Sequence, residues 1–380
     1  MFEGKKLICP ITLSKRFQKL FTIKKFPIFM GVVKKNKGYE YKNMNFYINK
    51  DSGTVQIFPR IPLIKLYSKS HYSGTTGKLW KKHHKNFYNF FRREMSGNVL
   101  EIGGGHNSIS KSIDLESINN IKCLTSVDPN AEKLKRVKHK LIKNFFSKKI
   151  FNQINKENNL VIHSHLFEHI YDPVEFLLQL KSFLTPEALH IFSVPNIKKM
   201  IQNGYANGMN FEHPYFLEED LIDYLLKRCG YKIVKKKYFN DHSIFYKTTV
   251  DNSLINKTIR YNKFNVNKKI FLNFIKKIKF NVKKINSSLS KLDNSRVFLF
   301  GAHIFSQILI FNKLNKKKIF RILDNDPYKQ NNYLYGTNFK VESPEVLKKY
   351  YKPSVILRAA NYSREIKNQL IKLNKRSEFI

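Results

Sequence analysis
Two periodicities alternate along this chain. Between residues 71 and 250, short apolar runs, several rich in branched residues, are separated by stretches with helical spacing of apolar positions. The runs are Val99–Ile102, Cys123–Val127, Leu160–His163, Leu189–Ser193 and Lys232–Tyr238, with Ile244–Thr248 closing a late hairpin. Strand-like and helix-like segments in strict alternation predict a doubly wound α/β domain of Rossmann-like type. Residues 1–70 read instead as a small irregular module with hairpin-like runs at Asn45–Ile48 and Gly53–Phe58. Residues 251–292 are dense in Lys and Asn, with Ile270, Phe271, Phe274, Ile275 and Ile278 at helical spacing, which predicts a basic, amphipathic linker helix. Residues 293–380 resume the α/β pattern, with strands expected at Arg296–Gly301, Phe320–Leu323 and Val355–Arg358, and form a second, smaller domain.

Composition narrows the class. A chain of 380 residues supports more than one hydrophobic core. Apolar runs fall well short of the ~18 residues that span a bilayer. The early run Ile8–Leu13 is too short for a signal segment and is followed by Lys15 and Arg16, so a cytoplasmic protein without a membrane span is expected. Cys9, Cys123 and Cys229 are too scattered for a disulfide framework. The net charge of +42 admits two explanations. One is an electrostatic footprint for nucleic acid, anionic lipid or a phosphorylated substrate. The other is a compositional bias that enriches Lys, Asn, Ile and Phe together. Arginine, which makes the bidentate phosphate contacts, is scarce beside lysine, and the basic residues spread over the whole chain; both facts favour the bias.

Chemistry concentrates where strands end. Val99-Leu100-Glu101-Ile102-Gly103-Gly104-Gly105-His106-Asn107 reads as a buried strand turning tightly into a helix, and its glycines let backbone N–H groups approach a ligand. Such units serve dinucleotides, phosphates and S-adenosylmethionine (SAM) alike. Asp128, in Ser126-Val127-Asp128-Pro129, stands where a second strand should end in a carboxylate able to accept the hydroxyls of a ribose. Glu101 would repel a pyrophosphate and suits the amine of a methionine moiety.

Two further clusters face the same crevice. Leu160–His169 runs from an apolar strand into a loop holding His163, His165, Glu168 and His169, with Asp172-Pro173 starting a helix. Metal ligation competes as a reading of this loop, but the spacing matches no zinc signature, and no metal is expected. Asn210-Phe211-Glu212-His213-Pro214 follows a Gly/Asn-rich stretch, 203–208, suited to a mobile cover. A Glu beside a His can orient the imidazole and tune it as a general base.

In this order, these motifs resemble the class I SAM-dependent sugar C-methyltransferases. The matching residues are Tyr72-Ser73, Trp80, His83 or His84, Glu101–Gly105, Asp128-Pro129, Phe167–His169, Asp172-Pro173, Val194-Pro195-Asn196 and Phe211–His213. Phe300-Gly301-Ala302, Leu323–Gln330, Gly336-Thr337, Ser343-Pro344 and Asn361–Ile366 resemble that family's C-terminal domain. The resemblance implies SAM as cofactor and a nucleotide-linked ketosugar as substrate. It also implies roles. His213, steadied by Glu212, removes the proton next to a ketone, with His169 as rival base or oxyanion donor. Tyr72, Glu101, Gly103, Gly105, Asn107, Asp128 and His165 hold the cofactor, and Asn196, Asn210, His242 and Lys329 face the substrate.

The chain also departs from the family. Members open with a zinc module of two Cys-x-x-Cys pairs, whereas here Cys9-Pro10-Ile11-Thr12 keeps one thiol and Asn49–Gly53 stands in place of the second pair. A zinc-free remnant is expected. Asn210 replaces a tyrosine, and Asn240-Asp241-His242-Ser243 replaces a glycine-rich H-G-G-S. An O- or N-methyltransferase acting on a glycan or small metabolite therefore stays open, as does, more remotely, a basic nucleic-acid or membrane binder. The sequence leaves monomer against homodimer undecided.

Overall fold
The computed structural model describes residues 6–67, 77–105, 109–116, 120–257, 261–292 and 296–380. A seven-stranded sheet forms its centre, in the order Tyr231–Phe239, Ser243–Val250, Leu184–Pro195, Asn158–Ser164, Gly97–Ile102, Ile121–Val127 and His139–Ile142. Strand Ser243–Val250 runs antiparallel to its neighbours on both sides, and the other adjacent pairs are parallel. This order places the switch point between Gly97–Ile102 and Asn158–Ser164, where an open α/β sheet binds ligands beyond its carboxyl ends. It is the Rossmann-like fold of class I methyltransferases.

The expected strands of this sheet all form, each one longer than its apolar run. His139–Ile142 escaped the pattern because its sequence, HKLI, is too short and mixed to carry a period. His163, grouped above with the crevice residues, faces the core. Its Nε2 lies 3.0 Å from His190 Nε2, and its ring stacks on Phe192. The strand ends at Ser164, and His165, at φ +50°, turns away into the cleft.

The C-terminal sheet is wholly parallel, ordered Val341–Glu342, Ile319–Leu323, Val297–Phe300, Ser354–Ile356 and Glu378–Phe379. At the N-terminus, Phe17–Pro27, Tyr41–Asn49 and Val55–Phe58 make an antiparallel sheet. The first of these strands carries two register shifts, between Lys19 and Phe21 and between Ile23 and Phe26, which break the alternation that would have revealed it. Helix Phe264–Ser290 spans 27 residues and is far from a free linker. Phe271, Phe274, Ile278, Val282 and Ile285 lie in one apolar core with Phe46 and Ile48 of the N-terminal sheet and Val297, Leu299 and Ile322 of the C-terminal one. Strand Tyr333–Leu334 pairs with Val32–Val33, joining the two ends of the chain. No helix among the described residues is long and apolar enough to cross a membrane.

Cys9, Asn49, Ser52 and Thr54 form a buried hydrogen-bonded knot beside the N-terminal sheet. Cys9 Sγ lies 3.3 Å from Ser52 Oγ, which is 2.9 Å from Thr54 Oγ1. Asn49 Oδ1 accepts from the Ser52 backbone N–H and from its hydroxyl.

Candidate active site
A cavity of about 650 Å³ opens at the carboxyl ends of the central strands and is closed on its far side by the C-terminal sheet. Its walls include Glu101, Gly103 to Gly105, His165, Glu168, His169, His213, His242 and, from the C-terminal side, Asp324, Lys329 and Tyr362. A larger hollow of about 910 Å³ lies elsewhere, lined by Cys9, Arg60, Tyr171 and Tyr215, and does not gather the acid–base groups.

The glycine turn is tight for a physical reason. Gly103 sits at φ +70°, and a Cβ there would come within 2.8 Å of Leu166; at Gly104 a Cβ would come within 2.8 Å of the Glu101 carboxyl carbon. Glu101 is 2 % exposed, receives the Ser110 hydroxyl on Oε2 and has the Ser126 hydroxyl 3.4 Å from the same oxygen. Burial pushes its pKa up to about 8; the Ser126 hydrogen bond opposes the rise and the charge of Asp128 adds to it. A buried carboxylate at this turn fits the ammonium of an amino-acid moiety, which would restore its ionisation. Asp128 stands outside the cavity lining. It accepts from Gly105 N at 3.0 Å and Asn130 N at 2.6 Å, so it braces the turn from behind. Tyr72 and Asn107 lie outside the described residues.

The acid–base groups meet on the opposite wall. His213 Nδ1 lies 3.0 Å from the Asn207 carbonyl, which can only accept, so Nδ1 carries a proton and donates it to that bond. A backbone carbonyl of the Gly/Asn-rich stretch thus orients the ring. Asn210 lines the cavity. Its Oδ1 accepts from the backbone N–H of Glu212 at 2.8 Å and of His213 at 3.3 Å, which shapes the loop from below. The His169 ring packs edge-on to His213 with centroids 4.5 Å apart, and its Nδ1 is 2.8 Å from Tyr67 OH.

Glu168 is 2 % exposed; its Oε1 is 3.3 Å from His165 Nδ1, and its Oε2 is unpartnered. Burial raises its pKa to about 7, against the opposing pull of His213. Sequence reasoning noted Glu168 without giving it a role, and Tyr67 and Asn207 carried no signal because their function depends on where loops fold.

The remaining substrate positions divide. Lys329, only 5 % exposed, reaches Asp324 Oδ2 at 3.5 Å and lines the cavity. His242 lines it too. Asn196 does not; its side chain caps helix Ile197–Gln202 by accepting from Lys199 N.

Comparison with known proteins agrees with this architecture. Residues 78–236 match the family model of a methyltransferase domain, and residues 252–380 match that of the C-methyltransferase C-terminal domain. The chain belongs to the C-methyltransferases that join these two domains. It is a SAM-dependent enzyme of class I fold. Among solved structures it is similar to a SAM-dependent methyltransferase from Clostridium acetobutylicum (14 % identity, 50 % of this chain and 98 % of that one, TM-score 0.35). It is also similar to the DhpI–SAH complex (12 %, 47 % and 89 %, 0.35) and to the N-methyltransferase NodS from Bradyrhizobium japonicum WM9 (10 %, 47 % and 99 %, 0.33). No curated relative matches the chain.

Proposed function
We propose that this enzyme methylates carbon next to a ketone, on a nucleotide-linked ketosugar, through an enolate generated by His213. The observation that carries the reading is the His213 ring at the cavity wall with Nδ1 committed to the Asn207 carbonyl, which leaves Nε2 as the nitrogen to act on substrate. An imidazole with one nitrogen committed to a carbonyl offers the other for proton transfer. As it gains charge, the buried Glu168 carboxyl beside it becomes a better anion, because a cation nearby lowers a carboxyl pKa. His169, whose Nδ1 is 2.8 Å from Tyr67 OH, would donate to the developing enolate oxygen. SAM, when bound, supplies the electrophilic methyl group; Glu101 and the glycine turn would hold its amino-acid end. Lys329 supports an anionic, nucleotide-bearing end of the substrate on the C-terminal side.

Deuterium wash-in tests this. With S-adenosylhomocysteine present and a nucleotide-linked ketosugar in D₂O, the wild type is expected to exchange the hydrogen next to the ketone. His213→Ala should slow that exchange by about 10²–10⁴-fold while still binding the cofactor product. A methylated oxygen or nitrogen product formed without exchange would favour the O- or N-methyl reading.

A further inference from the structure
Three histidines to which the proposed methyl transfer gives no chemical step converge beside the cleft, two of them, His165 and His242, in its wall. His83 comes from helix Lys78–Phe91, His165 from the turn after Asn158–Ser164, and His242 from the hairpin turn before Ser243–Val250. One nitrogen of each lies within 4.8 Å of the others. The ring centroids are 5.0, 5.5 and 5.6 Å apart. Imidazole–zinc bonds of about 2.0–2.1 Å place three rings on a tetrahedral ion with centroids about 5.2 Å apart. The observed spacing is close to that figure. Drawing the nitrogens onto one ion needs an inward shift of less than about 1 Å per ring.

The hydrogen bonds sort the nitrogens. Each ring has one nitrogen with an outside neighbour: His83 Nε2 bonds Ser193 Oγ at 3.3 Å, His242 Nε2 bonds Tyr362 OH at 3.1 Å, and His165 Nδ1 lies 3.3 Å from a Glu168 carboxyl oxygen, a charge-pair distance. Histidines that ligate metals are held in this way by an outer partner, often a carboxylate. The nitrogens left over are His83 Nδ1, His165 Nε2 and His242 Nδ1. His83 Nδ1 is buried with no hydrogen-bond partner, in a residue with 0 % exposure. Such an orphan is costly in an apolar surround, and a bound cation would relieve it. The other two are bridged by one hydroxyl, Ser243 Oγ, at 2.9 and 2.6 Å, which therefore stands next to the centre of the group. Burial lowers the pKa of all three imidazoles, so each is neutral and able to ligate at pH 7.

We propose that His83, His165 and His242 form a binding site for a divalent cation of the zinc type, with Ser243 Oγ as the nearest fourth donor and the Trp80 ring packed against all three imidazoles. Neutral imidazole donors suit zinc and its neighbours cobalt and nickel, and disfavour calcium and magnesium, which take oxygen ligands. Glu168, buried behind His165, supplies the nearest negative charge. The ion would clamp a helix, a strand-end turn and a hairpin turn that together form one wall of the cleft. Through Tyr362 it would also reach the C-terminal sheet. The second close group, Glu168, His169 and His213, belongs to the proton-transfer site already described, and an ion there would occupy the lone pair of the base.

The test uses the full chain stripped with a chelator and titrated with cobalt(II), followed by zinc competition and elemental analysis. Expected are one equivalent bound per chain, the intense visible absorption of four-coordinate cobalt, and a raised melting temperature. His242→Gln and His83→Gln should each abolish the stoichiometric binding, and His84→Gln and His213→Ala should keep it. His242 lies in a turn, so His242→Gln carries the test if His83→Gln does not fold. Folded wild type that binds no cobalt overturns the proposal. So does binding that survives His242→Gln, or that disappears in His213→Ala.

Discussion
Glu101 provides the sharpest quantitative test of the cofactor cradle. Its pKa of about 8 means that at pH 7 the carboxyl is about nine-tenths protonated before any ligand arrives. A methionine ammonium held by the carboxylate requires the ionised form, so at pH 7 binding must release about 0.9 proton and forgoes about 1.4 kcal/mol. At pH 6 the corresponding cost is about 2.7 kcal/mol. Affinity for S-adenosylhomocysteine should therefore climb by some tens of fold from pH 6 to 8. It should flatten there, because the ligand's own amine titrates near 8. Titration calorimetry in buffers of different ionisation enthalpy measures both the affinity and the proton count.

Glu101→Gln supplies the control. A charge-assisted hydrogen bond is worth about 1.5–3 kcal/mol, so the variant should bind ten- to about a hundred-fold more weakly at pH 8. At pH 6, where ionising the wild-type carboxyl costs as much as the bond returns, the two proteins should differ little. The unliganded stability moves the other way. An acid whose folded pKa is raised binds more protons folded than unfolded between about pH 4.5 and 8, so stability falls as pH rises through that window. The glutamine removes that fall. An affinity flat from pH 6 to 8 with no proton released would show that Glu101 does not meet the ammonium.

Other outcomes follow from the same geometry. Burial lowers the pKa of His190 to about 3 and of His139 to about 4, and holds His163 well below its ordinary value. Each such group takes up a proton on unfolding below about pH 6.5, at about 1.4 kcal/mol per pH unit, so urea midpoints should drop steeply from pH 6.5 toward 4; a rise over that range contradicts the burial. Gly104→Ala drives a Cβ against the Glu101 carboxyl and is expected to weaken S-adenosylhomocysteine binding more than tenfold with the circular dichroism unchanged. Unchanged affinity would mean the turn can yield. Asn210→Ala removes the side-chain acceptor of the Glu212 N–H, while the His213 N–H keeps the Asn210 carbonyl at 3.1 Å, and should lower stability by about 1–3 kcal/mol and reduce turnover without abolishing cofactor binding. Phe274→Ala, in the helix between the domains, is expected to cost about 3–5 kcal/mol by chemical denaturation; a loss below 1 kcal/mol would return that helix to the status of a linker.

The sequence by itself determined the class of fold and the face that binds. Period-two apolar runs followed by glycine or an acid are local facts, and Val99–Gly105 specified a buried strand and a tight turn wherever the rest of the chain went. The same holds for Leu160–His165 and for the apolar stripe of helix Phe264–Ser290. Tertiary structure decided which polar groups meet. His163 and His165 are two residues apart, yet one is sealed in the core and the other lines the cleft, because the strand ends between them. Asp128 and Asn196 read as ligand contacts from their motifs, and the fold adds a bond from each to a backbone N–H, since a short side chain beside a turn meets its own chain first. The orientation of His213 rests on the Asn207 carbonyl, six residues away through a loop whose path no periodicity encodes. The gathering of His83, His165 and His242 joins parts of the chain up to about 160 residues apart. Periodicity acts over one element; hydrogen-bond partners are chosen by distance in space, and only the packed chain defines that.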